Sequence, residues 1–172
     1  IRFSNAAGVN AVGIAEFVVG RLLAERKQFR TIAESQARHA WEPVYGCELA
    51  GSTVGLVGLG AINAAVAKRL QAFDVEVLAT RRSAAPGDAA PDVDRLFPIA
   101  ELHDMLDRCD AVVCAVPESP ETESMFDAAT FAAMRPGALF VNVGRGSLVD
   151  EPALIAALES GQLRGAVLDV QL

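Results

Sequence analysis

Apolar runs and helix-forming stretches alternate along most of the chain. Runs of apolar, strand-forming residues predict strands at residues 53–59, 75–79, 110–116, 138–143 and 165–170. Stretches with helical spacing of apolar residues predict helices at 61–73, 100–108, 127–134 and 151–160. Strands that are apolar on both faces and separated by helices are typical of a parallel sheet covered on both sides. The pattern therefore predicts an α/β fold built on a doubly wound parallel sheet.

A long helix is expected before this alternation begins. Residues 10–38 contain no proline and combine an apolar stripe with a charged outer face. Pro43 and Gly46 then predict a loop at Trp41–Gly46. The short apolar stretch Leu96–Pro98 lies between a predicted strand and a predicted helix, and its pattern assigns it to neither.

Composition narrows the class of protein. The 172 residues suit one domain, and a content of 52% hydrophobic and 22% charged residues excludes overall disorder. A net charge of −7 argues against a nucleic-acid partner. The three cysteines, Cys47, Cys109 and Cys114, form no C-x-x-C pair. We expect them to be reduced thiols that fill the core of a cytoplasmic protein.

The longest uncharged stretch raises the possibility of a membrane span. Residues 49–67 carry no charge, which is long enough to cross a bilayer. Glycines interrupt this stretch, and its character changes midway from strand-forming to Ala-rich and helical. A strand, a glycine turn and a buried helix explain it better, so we expect no membrane partner.

The glycine turn in this stretch has the features of a phosphate-binding site. Gly58 permits a tight turn after the strand, and Gly60 lets the backbone approach a pyrophosphate. The helix that begins at Ala61 and Ile62 presents free N–H groups and a positive dipole end to an anion. The turn therefore predicts nucleotide binding on a Rossmann-type sheet. The alternative is a glycine turn in an α/β protein that binds no nucleotide.

Asn63 departs from the dinucleotide-binding fingerprint. That position normally holds Gly or Ala, which lets the helix pack closely on the strand. The larger Asn63 must either push the helix outward or find a partner at the turn.

The end of the second strand bears on the choice of cofactor. Enzymes that use NAD place an acidic residue there for the ribose 2′-hydroxyl. This chain has Thr80, Arg81, Arg82 and Ser83 instead. Two guanidinium groups and two hydroxyls suit a 2′-phosphate, which favours NADP (NADPH) over NAD. The alternative is a solvated arginine pair on a surface loop.

A second glycine-rich segment follows a later strand. Arg145 lies between Gly144 and Gly146, where a guanidinium can reach a substrate carboxylate with little steric hindrance. The alternative is a surface arginine that caps the sheet.

His39 and His103 are both expected to be exposed residues without a catalytic role, and we expect no metal site.

Together these motifs resemble the nucleotide-binding domain of the D-isomer-specific 2-hydroxyacid dehydrogenases over nearly the whole chain. The most specific match is Asn142–Gly146 with the following Val149–Glu151. The other matching segments are Asn5–Asn10 (with Ala7 in place of a proline), Ala15–Phe17, Val57–Phe73, Val116–Pro117, Pro120–Thr122 and Gly165–Val170. The Thr80–Ser83 variant is similar to the NADP-preferring glyoxylate/hydroxypyruvate reductases of this family.

The resemblance implies hydride transfer between a nicotinamide cofactor and a small 2-oxo or 2-hydroxy acid. Arg145 would hold the carboxylate and carbonyl of the substrate, and Asp169 would meet the nicotinamide carboxamide. The implied cofactor-binding residues are Gly58, Gly60, Ala61, Ile62, Thr80, Arg81, Arg82, Ser83, Val116, Pro117, Thr122, Val143, Gly144 and Asp169. The resemblance also implies a homodimer, which the region of the long N-terminal helix would help to form.

The resemblance also implies that catalytic groups are missing. The histidine and glutamate that transfer protons in this family lie after the segment that matches Asp169. We therefore expect residues 1–172 to be the dinucleotide-binding domain of a two-domain enzyme. The chain alone would bind the cofactor and lack the proton donor, as well as the substrate domain.

Two rival readings follow from the same residues. One is a dinucleotide-sensing module without turnover. The other is a Rossmann enzyme that binds a different adenosine ligand, such as S-adenosylmethionine. Arg81–Arg82 and the match at residues 143–146 weaken the second reading.

Overall fold

The computed structural model describes residues 8–171 and contains one six-stranded sheet. The strands are β1 (Thr53–Val57), β2 (Glu76–Arg81), β3 (Arg95–Pro98), β4 (Ala111–Cys114), β5 (Ala138–Asn142) and β6 (Leu163–Leu168). The helices are α1 (Ala11–Arg26), α2 (Phe29–Ala37), α3 (Ala61–Leu70), α4 (Leu102–Leu106), α5 (Ala128–Ala132) and α6 (Glu151–Glu159). Residues 5–7 of the predicted family match lie outside the described residues.

The topology of the sheet confirms the predicted doubly wound α/β fold. Every adjacent pair of strands is parallel, and the order is β3-β2-β1-β4-β5-β6. The chain moves outward from β1 in one direction and then returns to continue from β4 in the other. Ligands of such sheets bind beyond the carboxyl ends of the strands where the direction changes, here between β1 and β4.

Two apolar clusters cover the two faces of the sheet. One contains Val18 and Leu22 of α1, Val66 and Leu70 of α3, and the side chain of Leu56 on β1. The other contains residues of α4, α5 and α6 against the opposite face. Because helices cover both faces, the central strands are apolar along most of their length, as the sequence pattern indicates.

Glycine ends β1 earlier than the pattern predicts. The strand stops at Val57, because Gly58 has a φ of +85° and leaves the extended conformation. Apart from the helix predicted over residues 10–38, the other predicted strands and helices are found within a few residues of their expected bounds. Helix 61–73 ends in a 3₁₀ turn at Gln71–Phe73.

The sheet has one more strand than the sequence pattern predicts. Residues 95–98 form β3, which pairs with β2 along the edge of the sheet. Phe97 is 1% exposed, so this strand contributes to the core. Four residues are too few for a periodicity to be recognised, and Pro98 is tolerated because it ends an edge strand.

The prediction of one long helix over residues 10–38 is wrong, because the chain forms α1 and α2 with a break between them. Gln28 adopts a left-handed conformation with a φ of +53°. The backbone N–H of Cys47 donates to the carbonyl oxygen of Arg26 at 2.8 Å, so the returning chain takes an acceptor at the end of α1. We call residues 27–46, whose two ends meet in this way, the arm.

The cysteines differ from one another in exposure. Cys109 and Cys114 are buried as expected, and burial raises the pKa of each thiol to about 12. Cys47 is exposed, so the expectation that it fills the core is wrong. Its position where the arm rejoins the domain explains the difference.

None of the helices in residues 8–171 combines the length and apolar character that crossing a membrane requires. The uncharged stretch of residues 49–67 instead contains β1, the glycine turn and the first part of α3.

Candidate functional site

The turn after β1 requires glycine at its first position. Gly58 has a φ of +85°, and a Cβ atom there would overlap Cγ1 of Val116. Its N–H donates to Oγ1 of Thr80 at 3.3 Å, and the N–H of Leu59 donates to the carbonyl oxygen of Thr80 at 2.9 Å. The turn is therefore tied to the end of β2 and touches the loop after β4.

The start of α3 offers room and donors for an anion. Gly60 is exposed, and a Cβ atom built on it would meet no other atom within 4 Å. Ala61 and Ile62 form the first turn of the helix, where backbone N–H groups have no partner within the helix. Open space in front of unpaired donors and a positive dipole end fits a cofactor pyrophosphate.

Asn63 finds partners at the turn, which decides between its two predicted alternatives. The side chain is fully buried, and its Nδ2 donates to the carbonyl oxygens of Gly58 at 2.9 Å and Val57 at 3.1 Å. The same atom lies 3.4 Å from the carbonyl oxygen of Val113 on β4. Its Oδ1 has no hydrogen-bond partner within residues 8–171. Asn63 thus joins α3 to both strands that flank the turn.

Arg81 and Arg82 lie where β2 ends. Nε of Arg81 is buried and has no partner among the described residues, while Nη2 lies 3.9 Å from Oδ2 of Asp88. Arg82 and Ser83 are exposed in the following loop. Thr80 differs from these three, because it is fully buried and its hydroxyl oxygen accepts the N–H of Gly58.

The loop after β4 is held by a threonine side chain. Oγ1 of Thr122 donates to the carbonyl oxygen of Pro117 at 2.9 Å and accepts the N–H of Ser119 at 2.9 Å. Val116 is half-buried against the glycine turn, whereas Pro117 is exposed. These hydrogen bonds fix the conformation of the loop beside the glycine turn.

One carboxyl group on this loop has a lowered pKa. A hydrogen bond from the Ser119 side chain holds the pKa of Glu121 below its ordinary value, a backbone hydrogen bond adds to this, and so does the positive charge of Arg82.

Asn142 holds the segment with Arg145 in place. It belongs to the sequence motif, but the motif alone predicts no role for it. Asn142 is fully buried at the end of β5. Its Oδ1 accepts the N–H of Gly144 at 3.0 Å, and its Nδ2 donates to the carbonyl oxygen of Arg145 at 2.8 Å. A polar residue that ends an otherwise apolar strand was the available signal.

Arg145 itself is exposed and extended. Its Nη1 donates to the carbonyl oxygen of Gly144 at 2.7 Å, and no acid holds its guanidinium among the described residues. A Cβ atom at Gly144 would lie 2.7 Å from Cδ1 of Leu148 and 3.0 Å from the carbonyl oxygen of Val116, so glycine is needed for this close approach. Val143 is buried, which leaves only its backbone for a ligand.

The remaining expected residue lies at the end of the neighbouring strand. Asp169 follows β6 directly, is exposed, and donates its N–H to the carbonyl oxygen of Asn142 at 3.0 Å. The structure therefore brings the expected site residues to one edge of the sheet, beyond the carboxyl ends of the strands. Ligands of open parallel sheets bind beyond this edge, so the arrangement suits an extended cofactor.

Neither histidine takes part in this edge. His39 and His103 are both exposed, as predicted, and lie on the arm and on α4. Within residues 8–171 no group of three or more His, Cys, Asp or Glu side chains could hold a metal ion.

Comparison with known proteins agrees with this geometry. Residues 19–171 match the family model of the D-isomer specific 2-hydroxyacid dehydrogenase, NAD binding domain. The chain is 39% identical over 168 residues to D-3-phosphoglycerate dehydrogenase of Mycobacterium leprae (strain TN), covering 96% of this chain and 31% of that protein. It is 36% identical to glyoxylate reductase of Thermofilum pendens (strain DSM 2475 / Hrk 5), covering 99% of this chain and 51% of that protein.

Solved structures give the same answer. A D-isomer specific 2-hydroxyacid dehydrogenase from Xanthobacter autotrophicus Py2, in complex with NADPH and MES, superposes with a TM-score of 0.86 at 32% identity. That match covers 96% of this chain and 52% of the neighbour. The chain therefore spans about half or less of the length of each of these three relatives. The matched family model, the parallel sheet and the glycine turn lead to one conclusion: the chain belongs to the NAD-binding domain family of the D-isomer specific 2-hydroxyacid dehydrogenases.

Proposed function

We propose that the chain is the dinucleotide-binding domain of a two-domain enzyme that moves a hydride between a nicotinamide cofactor and a small 2-oxo or 2-hydroxy acid. The carrying observation is that a phosphate-binding turn after β1 and the Gly144–Gly146 segment after β5 lie at the same edge of the sheet. The span of about half the NADPH-bound neighbour supports a second domain elsewhere in the protein.

The described residues would divide the work of binding. The turn at Gly58–Ile62 would hold the pyrophosphate by backbone N–H groups, and Val116, Pro117 and Thr122 would border the adenosine and nicotinamide. Asp169 would meet the nicotinamide carboxamide, with the backbones of Val143 and Gly144 beside it. When bound, the nicotinamide supplies or accepts the hydride.

Arg145 would serve the substrate. Its guanidinium is exposed and, within residues 8–171, paired only with a backbone carbonyl, so it can exchange that bond for a carboxylate. A charged fork near the carbonyl would also stabilise negative charge that develops on oxygen.

The cofactor is NADP rather than NAD in this proposal. Arg81, Arg82 and Ser83 offer donors where an NAD enzyme has an acid, and the buried Nε of Arg81 lacks a partner among residues 8–171. The NADPH complex of the similar Xanthobacter enzyme supports this preference, while the family's own description names NAD.

Titration of the complete protein tests the cofactor assignment. The dissociation constant for NADPH should be lower than that for NADH, and the ratio should shrink in Arg81→Asp. Equal dissociation constants in the unmutated protein would contradict the assignment.

Steady-state reduction of glyoxylate or hydroxypyruvate by the complete protein tests the reaction. If the cofactor binds but no reduction occurs, a sensing module is favoured.

We also propose that the complete protein is a homodimer formed through the arm. Phe29, Ile32, Trp41 and Tyr45 expose 55%, 44%, 98% and 85% of their surface. Exposed apolar patches of this kind mark interfaces between proteins. Light scattering should give a dimer that the double variant Trp41→Ser with Tyr45→Ser converts to a monomer.

Reduced cysteines and the substrate class favour the cytoplasm as the location of the protein.

A further inference from the structure

The loop after β2 brings an acid to Arg81, although no acid directly follows the strand in the sequence. Oδ2 of Asp88 lies 3.9 Å from Nη2 of Arg81, and both side chains are about two-fifths exposed. Seven positions separate the two residues, so the sequence motif at residues 80–83 does not contain this contact. Arg81 therefore has a negative neighbour at the place assigned to the 2′-phosphate.

Two consecutive turns fix the position of Asp88. The N–H of Ala84 donates to the carbonyl oxygen of Arg81 at 3.0 Å, and the N–H of Asp88 donates to that of Ala85 at 3.1 Å. Oδ2 of Asp88 accepts the N–H of Ala85 at 3.0 Å, which adds a side-chain hydrogen bond across the second turn. The carboxylate is thus held by the backbone independently of Arg81.

The contact with Asp88 leaves the guanidinium of Arg81 only partly satisfied. The separation of 3.9 Å is at the outer limit of an ion pair, and Nε is buried without a partner among the described residues. A phosphate can take two parallel N–H donors of one guanidinium, which is a stronger arrangement than this single long contact. A 2′-phosphate bound there would have to share the guanidinium of Arg81 with Asp88.

We propose that Asp88 is a specificity-determining residue that competes with the 2′-phosphate of the cofactor for Arg81 and so limits the preference for NADP. This inference rests on the proposed NADP preference. It predicts that removing the charge of Asp88 strengthens binding of a phosphate-bearing adenosine ligand and leaves binding of the unphosphorylated one unchanged.

Binding titrations of the complete protein test this competition. Asp88→Asn should lower the dissociation constants of NADPH and of 2′,5′-ADP about 2- to 5-fold, the range of an exposed ion pair. Those of NADH and 5′-AMP should stay the same. The gain should shrink at high salt, because salt screens exposed charges. Asp92→Asn is the matched control, since Asp92 lies in the same segment and its backbone carbonyl accepts from Gln71.

The variants separate failure of this inference from failure of the cofactor assignment. If Arg81→Ala weakens NADPH binding but Asp88→Asn leaves it unchanged or weakens it, Asp88 does not compete and the inference is overturned alone. If Arg81→Ala leaves NADPH binding unchanged, the NADP assignment fails and the inference falls with it. In the double variant Arg81→Ala with Asp88→Asn, the gain from Asp88→Asn should vanish. A gain that persists there would also overturn a role through Arg81.

Discussion

The side-chain Nδ2 of Asn63 donates to the carbonyl oxygen of Gly58 at 2.9 Å. The dinucleotide-binding fingerprint has Gly or Ala at the position of Asn63. A glycine there lets a helix approach its strand, whereas Asn63 joins the helix to the strand by hydrogen bonds. The buried amide also reaches Val57 and Val113, so one side chain connects α3, β1 and β4.

Asn63→Ala should therefore destabilise the fold. It removes buried hydrogen bonds to the carbonyl oxygens of Val57 and Gly58, at a cost of about 0.5 to 1.5 kcal/mol each in the free energy of unfolding. Chemical denaturation measures the loss. Asn10→Ala is the matched control, because Asn10 is exposed and its side chain makes no capping hydrogen bond. Equal stability of Asn63→Ala and the unmutated protein would show that these contacts contribute nothing.

Asn142→Ala should disturb the segment with Arg145 while sparing the cofactor turn. The variant removes the acceptor of the Gly144 N–H and the donor to the Arg145 carbonyl. We expect the Michaelis constant for the 2-oxo acid to rise, with little change in the NADPH dissociation constant, and a lower thermal midpoint. Asn142→Asp retains the acceptor but sets a buried carboxylate oxygen against the Arg145 carbonyl oxygen, so it should not recover the stability. Unchanged kinetics in both variants would mean that Asn142 does not position Arg145.

Arg145→Ala should separate substrate handling from cofactor binding. In the complete protein we expect kcat/KM to fall on the order of 10²-fold or more, the scale of losing one charge-stabilising donor. Arg145→Lys should restore only part of this, because an ammonium keeps the charge but not the paired geometry. Steady-state kinetics and NADPH titration measure both effects. Near-normal turnover of Arg145→Ala would make this residue a surface cap.

Thiol labelling should distinguish Cys47 from the two buried cysteines. A maleimide should modify Cys47 in the folded protein and reach Cys109 and Cys114 only after unfolding, because burial keeps their thiols protonated. Cys47→Ser should abolish labelling of the folded protein. Rapid labelling of Cys47→Ser would show that the core opens readily.

The same two thiols give the stability a dependence on pH. Their ordinary pKa is 9.0, and in the folded chain it is raised to about 12. A group whose pKa is higher in the folded state ionises first in the unfolded state. The free energy of unfolding should therefore be unaffected below about pH 9 and fall as pH rises toward 12. Denaturation at a series of alkaline pH values checks this, with a smaller slope expected in Cys109→Ala.

Local pattern was sufficient for the general fold and for much of the candidate site. Apolar runs separated by helices predicted the parallel sheet, because strands buried on both faces cannot carry polar residues at alternate positions. The glycine turn and the Gly144–Gly146 segment were recognisable because close approaches of the backbone restrict the residue type.

Contacts between distant residues decided what the local pattern could not. α1 ends at Arg26 because Cys47, twenty-one positions later, takes the Arg26 carbonyl oxygen as its acceptor. β3 is a strand because β2 offers its edge, and Asn63 finds an acceptor on Val113 fifty positions away. Arg81 meets Asp88 because two turns fold the loop back on itself. Hydrogen bonds and charges act between atoms that are close in space, so sequence by itself determined which residues were available and the tertiary structure decided which of them meet.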